Sequence, residues 1–178
     1  MGCCFSSFQN NNIPSLPQQD SFQNFRNFSS VFQDEWKIAF VHNVYDGDTF
    51  TCSFYFMKEW MNFRIRCVGY DSPELKPLKT TPEREKVIEN AIKARDALAG
   101  QILNKWVLIH TKGFDKYGRV LGIVYNDIPF SYFQVEIDKA FSANNVFIAY
   151  IESCNKKSVN KFMLENNFGV PLHFGPTL

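Results

Sequence analysis

Three stretches that suit β-strands follow one another with only short turns between them: 36–45 (WKIAFVHNVY), 49–56 (TFTCSFYF) and 60–69 (WMNFRIRCVG). Apolar and polar residues alternate along them, as expected of strands with one face turned inward. Asp46-Gly47 marks a tight turn between the first two. Pro73, Pro77 and Pro82 then bracket a loop. Beyond it Thr81 can cap a helix, with Pro82 in the first helical position and Glu83 beside it. That helix carries Val87, Ala91, Ala94, Leu98 and Ile102 along one face. Residues 105–111 and 119–125 supply strands four and five, and 158–167 (SVNKFMLENN) reads as a further helix. Five short strands with a helix between the third and fourth predict an α+β fold: a small five-stranded, partly closed barrel of the OB type with two or three helices.

The chain's 178 residues, its 45% hydrophobic fraction and its 19 phenylalanines suit one well-buried domain. A net charge of +1 excludes a broadly basic surface, so any affinity for phosphates has to be local. The cysteines at 3, 4, 52, 67 and 154 form no C-x-x-C pair and no zinc-type spacing with histidine. Cys52 and Cys67 fall in predicted strands, where a free thiol behaves as a small hydrophobe. An odd count without a framework suits a reducing compartment. His42, His110 and His173 are too scattered for a ligand set, and Trp36, Trp60 and Trp106 read as core or barrel-rim residues rather than stacking platforms.

Residues 1–34 read as a flexible leader, rich in Gln, Asn, Ser and Pro with almost no charge. Gly2 with Ser6 fits N-myristoylation, and Cys3 and Cys4 fit S-palmitoylation. One myristoyl chain holds a protein to a membrane only marginally, whereas two acyl chains hold it stably. No secretory signal is read, and no apolar run approaches the roughly 20 residues that span a bilayer. The expectation is a monomer tethered to the cytoplasmic face of a membrane, and cytoplasmic otherwise. Phe22, Phe25, Phe28 and Phe32 recur near helical spacing, to dip into lipid or to pack on the domain; the absence of a basic face favours packing. The domain at 35–178 carries an extra stretch at about 127–157, whose runs FSYFQVEI and NVFIAYIE suit an added hairpin.

Four short segments fall at the ends of these strands: Asp46-Gly-Asp48-Thr49, Arg66, Asp71-Ser72-Pro73-Glu74 and Asp115-Lys-Tyr-Gly-Arg119. Each alone has an ordinary reading, since D-G-D makes a hairpin turn and D-K-Y-G-R a surface turn. Together they supply the carboxylates that hold a divalent cation and the guanidinium groups that match phosphate oxygens in pairs. Hydrolysis of a phosphodiester needs that combination: charge neutralisation, an activated water and a tolerated oxyanion leaving group.

The order and spacing of these segments resemble the staphylococcal nuclease, or thermonuclease, family, over roughly 36–126 and 158–175. The resemblance implies a Ca²⁺-dependent endonuclease acting on DNA and RNA, single strands favoured, with low sequence specificity and 3′-phosphate products. It implies calcium ligands at Asp48, Asp71 and the Ser72 carbonyl. Glu74 acts on the attacking water, and Arg66 and Arg119 clamp the phosphate. Lys116 and Tyr117 match residues that contact the terminal phosphate of a bound nucleotide. Carboxylates are weak bases at neutral pH, with an ordinary pKa of about 4.3 for glutamate, so polarisation of the water has to do part of the work. Where relatives place tyrosines against the base, this chain reads Val170-Pro-Leu-His-Phe174, leaving His173 or Phe174 to stack. Arg64, on the same strand face as Arg66, could share or usurp the phosphate role, and the family spacing favours Arg66. Two rival readings are a non-catalytic OB module that binds single-stranded nucleic acid and a membrane-anchored scaffold. Neither has a use for the full set of acids and arginines.

Overall fold

The computed structural model describes residues 31–128 and 144–172. Strands β1 (Gln33–Val44), β2 (Thr49–Phe56) and β3 (Glu59–Cys67) follow in order, then the two-residue β4 (Tyr70–Asp71) and helix α1 (Arg84–Ile102). Strands β5 (Trp106–Phe114) and β6 (Val120–Tyr125) precede helices α2 (Asn144–Ser153) and α3 (Val159–Glu165) and the short β7 (Val170–Pro171). The five long strands close into a barrel in the order β1-β2-β3-β6-β5. All neighbours are antiparallel except β3 and β6, which run parallel. The expected α+β barrel is the fold observed.

Alternation sets which residues enter the barrel. Ala39 and Val41 of β1, Phe50, Cys52 and Phe54 of β2, Ile65 and Cys67 of β3, and Val107 and Ile109 of β5 are all fully buried. The two barrel cysteines are free, and burial pushes their thiols up, that of Cys67 to about 12, as fits their reading as small hydrophobes. Phe32 belongs to the barrel as well: it is 1% exposed, and its ring meets Phe54, Phe56, Phe63 and Phe114 at 4.7–5.4 Å. For Phe32 packing on the domain is thus observed; Phe22, Phe25 and Phe28 lie outside the described residues. Ala91, Ala94, Leu98 and Ile102 form the buried stripe of α1, joined in the same core by Val159 and Met163 of α3.

Two sequence expectations are corrected and a third is narrowed. Helix α1 starts at Arg84, and its N-cap position is Glu83 in the left-handed region (φ 47°) without a side-chain cap, so Thr81 and Pro82 stay in the preceding turn. The run NVFIAYIE is helical rather than one arm of a hairpin. Its Tyr150 and Ile151 pack with Leu108, Ile128, Trp36 and Ile38 on the outside of β1 and β5, and that apolar surface outweighs the strand propensity of β-branched and aromatic residues. The other run, FSYFQVEI, lies outside the described residues. Trp60 and Trp106, at 53% and 38% exposure, are not core residues, which leaves the barrel-rim alternative for them. Trp36 stacks on His110 at 4.3 Å. Among the described residues no helix is long and apolar enough to cross a membrane.

Asn160 ties α3 to the barrel. Strand β3 leaves β6 after Cys67, where the last paired residue is Gly122. From there the buried Asn160 amide takes the place of a strand: its Oδ1 accepts from Val124 N at 2.8 Å, and its Nδ2 donates to Val68 O and Gly122 O at 2.9 and 3.0 Å. Ser158 caps the helix that presents it, accepting from Lys161 N at 3.1 Å.

Candidate active site

The β1–β2 turn is shaped by Asp46, whose Oδ1 accepts from Asp48 N at 3.0 Å. Gly47 is required there for space rather than for its backbone angle. A Cβ on it would lie 2.6 Å from Ser72 Cβ and 2.7 Å from Ala94 Cβ, so glycine lets the turn rest against both the β4 loop and α1. Tyr70 fastens the same point by donating from its hydroxyl to Gly47 O at 2.8 Å. Asp48 is thereby held at the end of the barrel, 6% exposed.

One network then gathers most of the residues singled out in the sequence. Asp48 Oδ2 accepts from the Ser72 amide and hydroxyl, both at 2.8 Å, and faces Arg66 Nη1 at 3.2 Å. Arg66 Nη2 donates to Asp71 Oδ1, and Nη1 also reaches the carbonyls of Cys67 and Tyr70. Asp48 Oδ1 accepts from the Thr49 hydroxyl at 2.9 Å, and that hydroxyl accepts in turn from Arg119 Nη1 at 3.3 Å. Arg119 comes from the β5–β6 turn. Asp115 holds it there through Nε at 2.6 Å while accepting from the Tyr117 and Arg119 amides, and Gly118 supplies the positive φ of 78°. Burial raises the Asp115 pKa, but the hydrogen bonds from Arg119 and Tyr117 outweigh it and leave the carboxyl below its ordinary value.

Asp48, Arg66, Asp71, Ser72 and Arg119 are therefore brought together. Glu74 lies on the exposed loop three residues past Asp71 and makes no hydrogen bond or ion pair among the described residues. Arg64 is exposed and outside the network, so the buried Arg66 is the guanidinium placed between the two aspartates. Lys116 and Tyr117 sit on the exposed turn, with the Lys116 ammonium 5.0 Å from the tyrosine ring and the Arg119 guanidinium 5.5 Å from it. Strand β7 pairs Val170 with Asp71, which sets the segment leading to His173 and Phe174 beside that carboxylate. His173 and Phe174 themselves lie outside the described residues, as do Gly2, Cys3 and Cys4. Sequence reasoning missed Thr49 as the hydroxyl between the two halves of the site, though it stands inside the D-G-D-T segment. It also missed Tyr70, which no local pattern marks.

The electrostatics are those of crowded anions. Burial and then the neighbouring Asp48 charge push the Asp46 carboxyl up to about 6. Among the described residues no three His, Cys, Asp or Glu side chains form a metal-binding group. A cation would have two carboxylates, Asp48 and Asp71, and the Ser72 carbonyl. That all-oxygen set is short of the six to eight ligands a hard cation takes, which leaves coordination to water and substrate.

The sequence model of the family described as staphylococcal nuclease homologue matches residues 64–170, more than half of the chain. The chain belongs to that family. Among curated proteins it is similar to Protein ParB of Escherichia coli, at 34% identity over 85 residues, which is 48% of this chain and 40% of that protein. The chain thus spans less than half the length of that relative. Membership of the staphylococcal nuclease homologues gives the barrel-end network its context, a nuclease or nucleic-acid-binding role. Arg66 and Arg119 both fall within the matched region, with Asp71, Ser72 and Glu74; Asp48 precedes it.

Proposed function

We propose that the protein is a calcium-dependent endonuclease that hydrolyses phosphodiester bonds of DNA and RNA with little sequence preference, leaving 3′-phosphate ends. The observation that carries this reading is the joining of Arg66, Asp48, Asp71 and Ser72 to Arg119 through the single Thr49 hydroxyl. Two guanidinium groups anchored by carboxylates are oriented without losing their charge, and each retains N–H groups for phosphate oxygens. Their value is greatest where charge builds up on the phosphorus oxygens during bond cleavage. Asp48, Asp71 and the Ser72 carbonyl are oxygen donors of the kind a hard cation takes. Calcium, when bound, supplies charge neutralisation at the phosphate. Glu74, exposed on the loop after β4, accepts the proton of the attacking water. Lys116 and Tyr117 flank the entry of a terminal phosphate, and His173 or Phe174 stacks on the base.

Cleavage of single-stranded DNA by the purified protein, in calcium and in a calcium chelator and beside Glu74→Gln, tests the reading. Calcium-dependent cutting lost in the variant is expected. Binding of the strand without cutting would instead make the protein a non-catalytic member of the family. We also propose that Gly2, Cys3 and Cys4 are acylated and hold a monomeric enzyme at the cytoplasmic face of a membrane. Gly2→Ala is expected to move it to the soluble fraction, and unchanged fractionation would remove the anchor.

A further inference from the structure

The β2–β3 hairpin outgrows the barrel. Beyond Phe54 strand β2 no longer pairs with β1, and before Ile65 strand β3 does not pair with β6. Among the described residues the arm from Tyr55 to Met61 therefore pairs only within the hairpin. Phe56 pairs with Glu59, which leaves Met57 and Lys58 as a two-residue loop. Both have positive φ, 51° and 69°, as a type I′ turn demands. Asn-Gly is the usual pair in such a turn, because glycine enters the left-handed region freely and asparagine's short polar side chain bonds locally. Here methionine takes the first position and is 74% exposed. The fold thus accepts backbone strain to hold an apolar side chain at the tip of the arm.

Apolar side chains continue down both faces. Tyr55 and Trp60 form one rung, 49% and 53% exposed, with their rings 5.9 Å apart edge to face. Trp60 also meets the Trp106 ring at 5.8 Å. Met61 pairs with Phe54 on the other face and is 39% exposed. A strand with one face on the core turns polar groups to water on the other; this arm turns apolar ones to water on both faces and at its tip. A partner with a firm surface would cover one face and leave the other wet. A lipid interface closes around both, and Trp and Tyr are the side chains that settle there, ring toward the acyl chains and polar atom toward water. Two residues of strand separate the tip from the Tyr55–Trp60 rung, about 7 Å, within the roughly 5–10 Å that interfacial elements reach. Lys58 has the length to return its ammonium to the headgroups. Glu59 limits the depth, because its carboxylate has to stay hydrated.

The acylation pattern at Gly2, Cys3 and Cys4 joins the domain at this same end, through Phe32, whose ring lies 4.7 Å from that of Phe56 at the base of the arm. We propose that the Tyr55–Met61 arm inserts into the headgroup region of a phospholipid bilayer, with Met57, Trp60 and Tyr55 as the inserted side chains. The proposal rests on the membrane-anchor reading for its setting but not for the lipid contact itself. The acyl chains hold the protein, and the arm, weak and reversible alone, orients it. From Trp60 to Arg66 is six residues of strand, about 20 Å, so an inserted arm keeps the phosphate-binding network in water.

The test uses the full chain with Gly2→Ala, made in bacteria so that no acyl group contributes, and sucrose-loaded phosphatidylcholine vesicles at high lipid concentration. Co-sedimentation is expected and should change little with salt, because the contact is apolar. Brominated acyl chains should quench the tryptophan emission, and Trp60→Phe, which keeps a ring, should still bind but lose most of that quenching. Met57→Asn with Lys58→Gly installs the usual turn pair: the melting temperature should rise while partition into vesicles falls on the order of tenfold, so lost binding cannot be blamed on lost folding. Higher stability with undiminished partition overturns the proposal. So does a Gly2→Ala protein that fails to bind vesicles at all; the acyl anchor survives that result if the acylated wild type still fractionates with membranes. Arm-dependent vesicle binding sustains the proposal even where Gly2→Ala leaves cell fractionation unchanged and removes the anchor. A solution dimer that the turn substitutions dissociate, without vesicle binding, makes the arm a contact between copies and overturns the proposal.

Discussion

Asn160 makes the sharpest prediction about what holds the barrel together. Its side-chain amide contacts three backbone groups, and one of these, Gly122 O, also accepts from Val68 N at 3.1 Å. Truncation in Asn160→Ala therefore strands two groups, Val124 N–H and Val68 C=O, on residues that are 0% and 4% exposed. A buried backbone group left without a partner costs about 1–3 kcal/mol, so the loss should be about 2–6 kcal/mol. That is a large share of the roughly 5–15 kcal/mol that holds a typical domain folded. The assay is urea unfolding, in which the midpoint should fall while the slope stays constant. Asn160→Asp separates hydrogen bonding from volume: the carboxylate has the same shape but turns an acceptor toward two carbonyls. It should destabilise at least as much at pH 7 and partly recover below about pH 4, where the protonated acid regains one donor. A loss under about 1 kcal/mol in a fully folded Asn160→Ala protein would refute the argument, because a water could then do the work of the amide.

Three other perturbations bear on the site and its surroundings. Gly47→Ala should lower stability by about 1–3 kcal/mol and reduce any cleavage, since the added methyl group forces the turn away from Ser72 and Ala94; wild-type melting would show that the turn can yield. Glu74→Gln and Arg119→Ala should each lower the cleavage rate by about 100- to 1,000-fold, and wild-type turnover in either would remove that residue from the mechanism. Burial, with Lys112 nearby, holds the His110 pKa below its ordinary value of 6.5 despite the opposing pull of Asp34. The unfolded chain then binds the proton more readily, so this contribution to stability is present above pH 6.5 and lost as pH falls below it. Melting temperatures at pH 7.5 and 5.5 should converge in His110→Gln relative to wild type, and parallel profiles would exclude the histidine.

The barrel was legible because its strands alternate with period two and its one long helix carries an apolar stripe from Ala91 to Ile102. The network was legible as motifs: Asp48, Arg66, Asp71, Ser72 and Arg119 lie at strand ends, and strand register brings strand ends together. What escaped was whatever depends on the partner surface. The run around Tyr150 has strand-like composition, and only the apolar patch at Leu108 and Ile128 makes it a helix. Asn160 looks like any polar residue on a short helix until β3 turns away and leaves backbone groups for it to satisfy. Gly47 was legible as a turn residue for the wrong reason, because closeness to Ser72 and Ala94 cannot be seen in a local sequence. The pairing of β4 with β7 joins residues about a hundred positions apart, with no pattern to announce it.

The closing seam of the barrel, β1 against β5, has a consequence for how the protein is made. The Thr111 hydroxyl that donates to Glu35 O on that seam lies 76 residues further along the chain. While a ribosome delivers the chain from its N-terminus, β1, β2 and β3 emerge first and β5 much later. Through that interval one edge of β1 has no neighbour, and inward-facing residues such as Ala39, Val41 and Phe54 lack the wall that will cover them. The nascent protein is most open to self-association in that window, and slower translation between residues 60 and 106 would lengthen it.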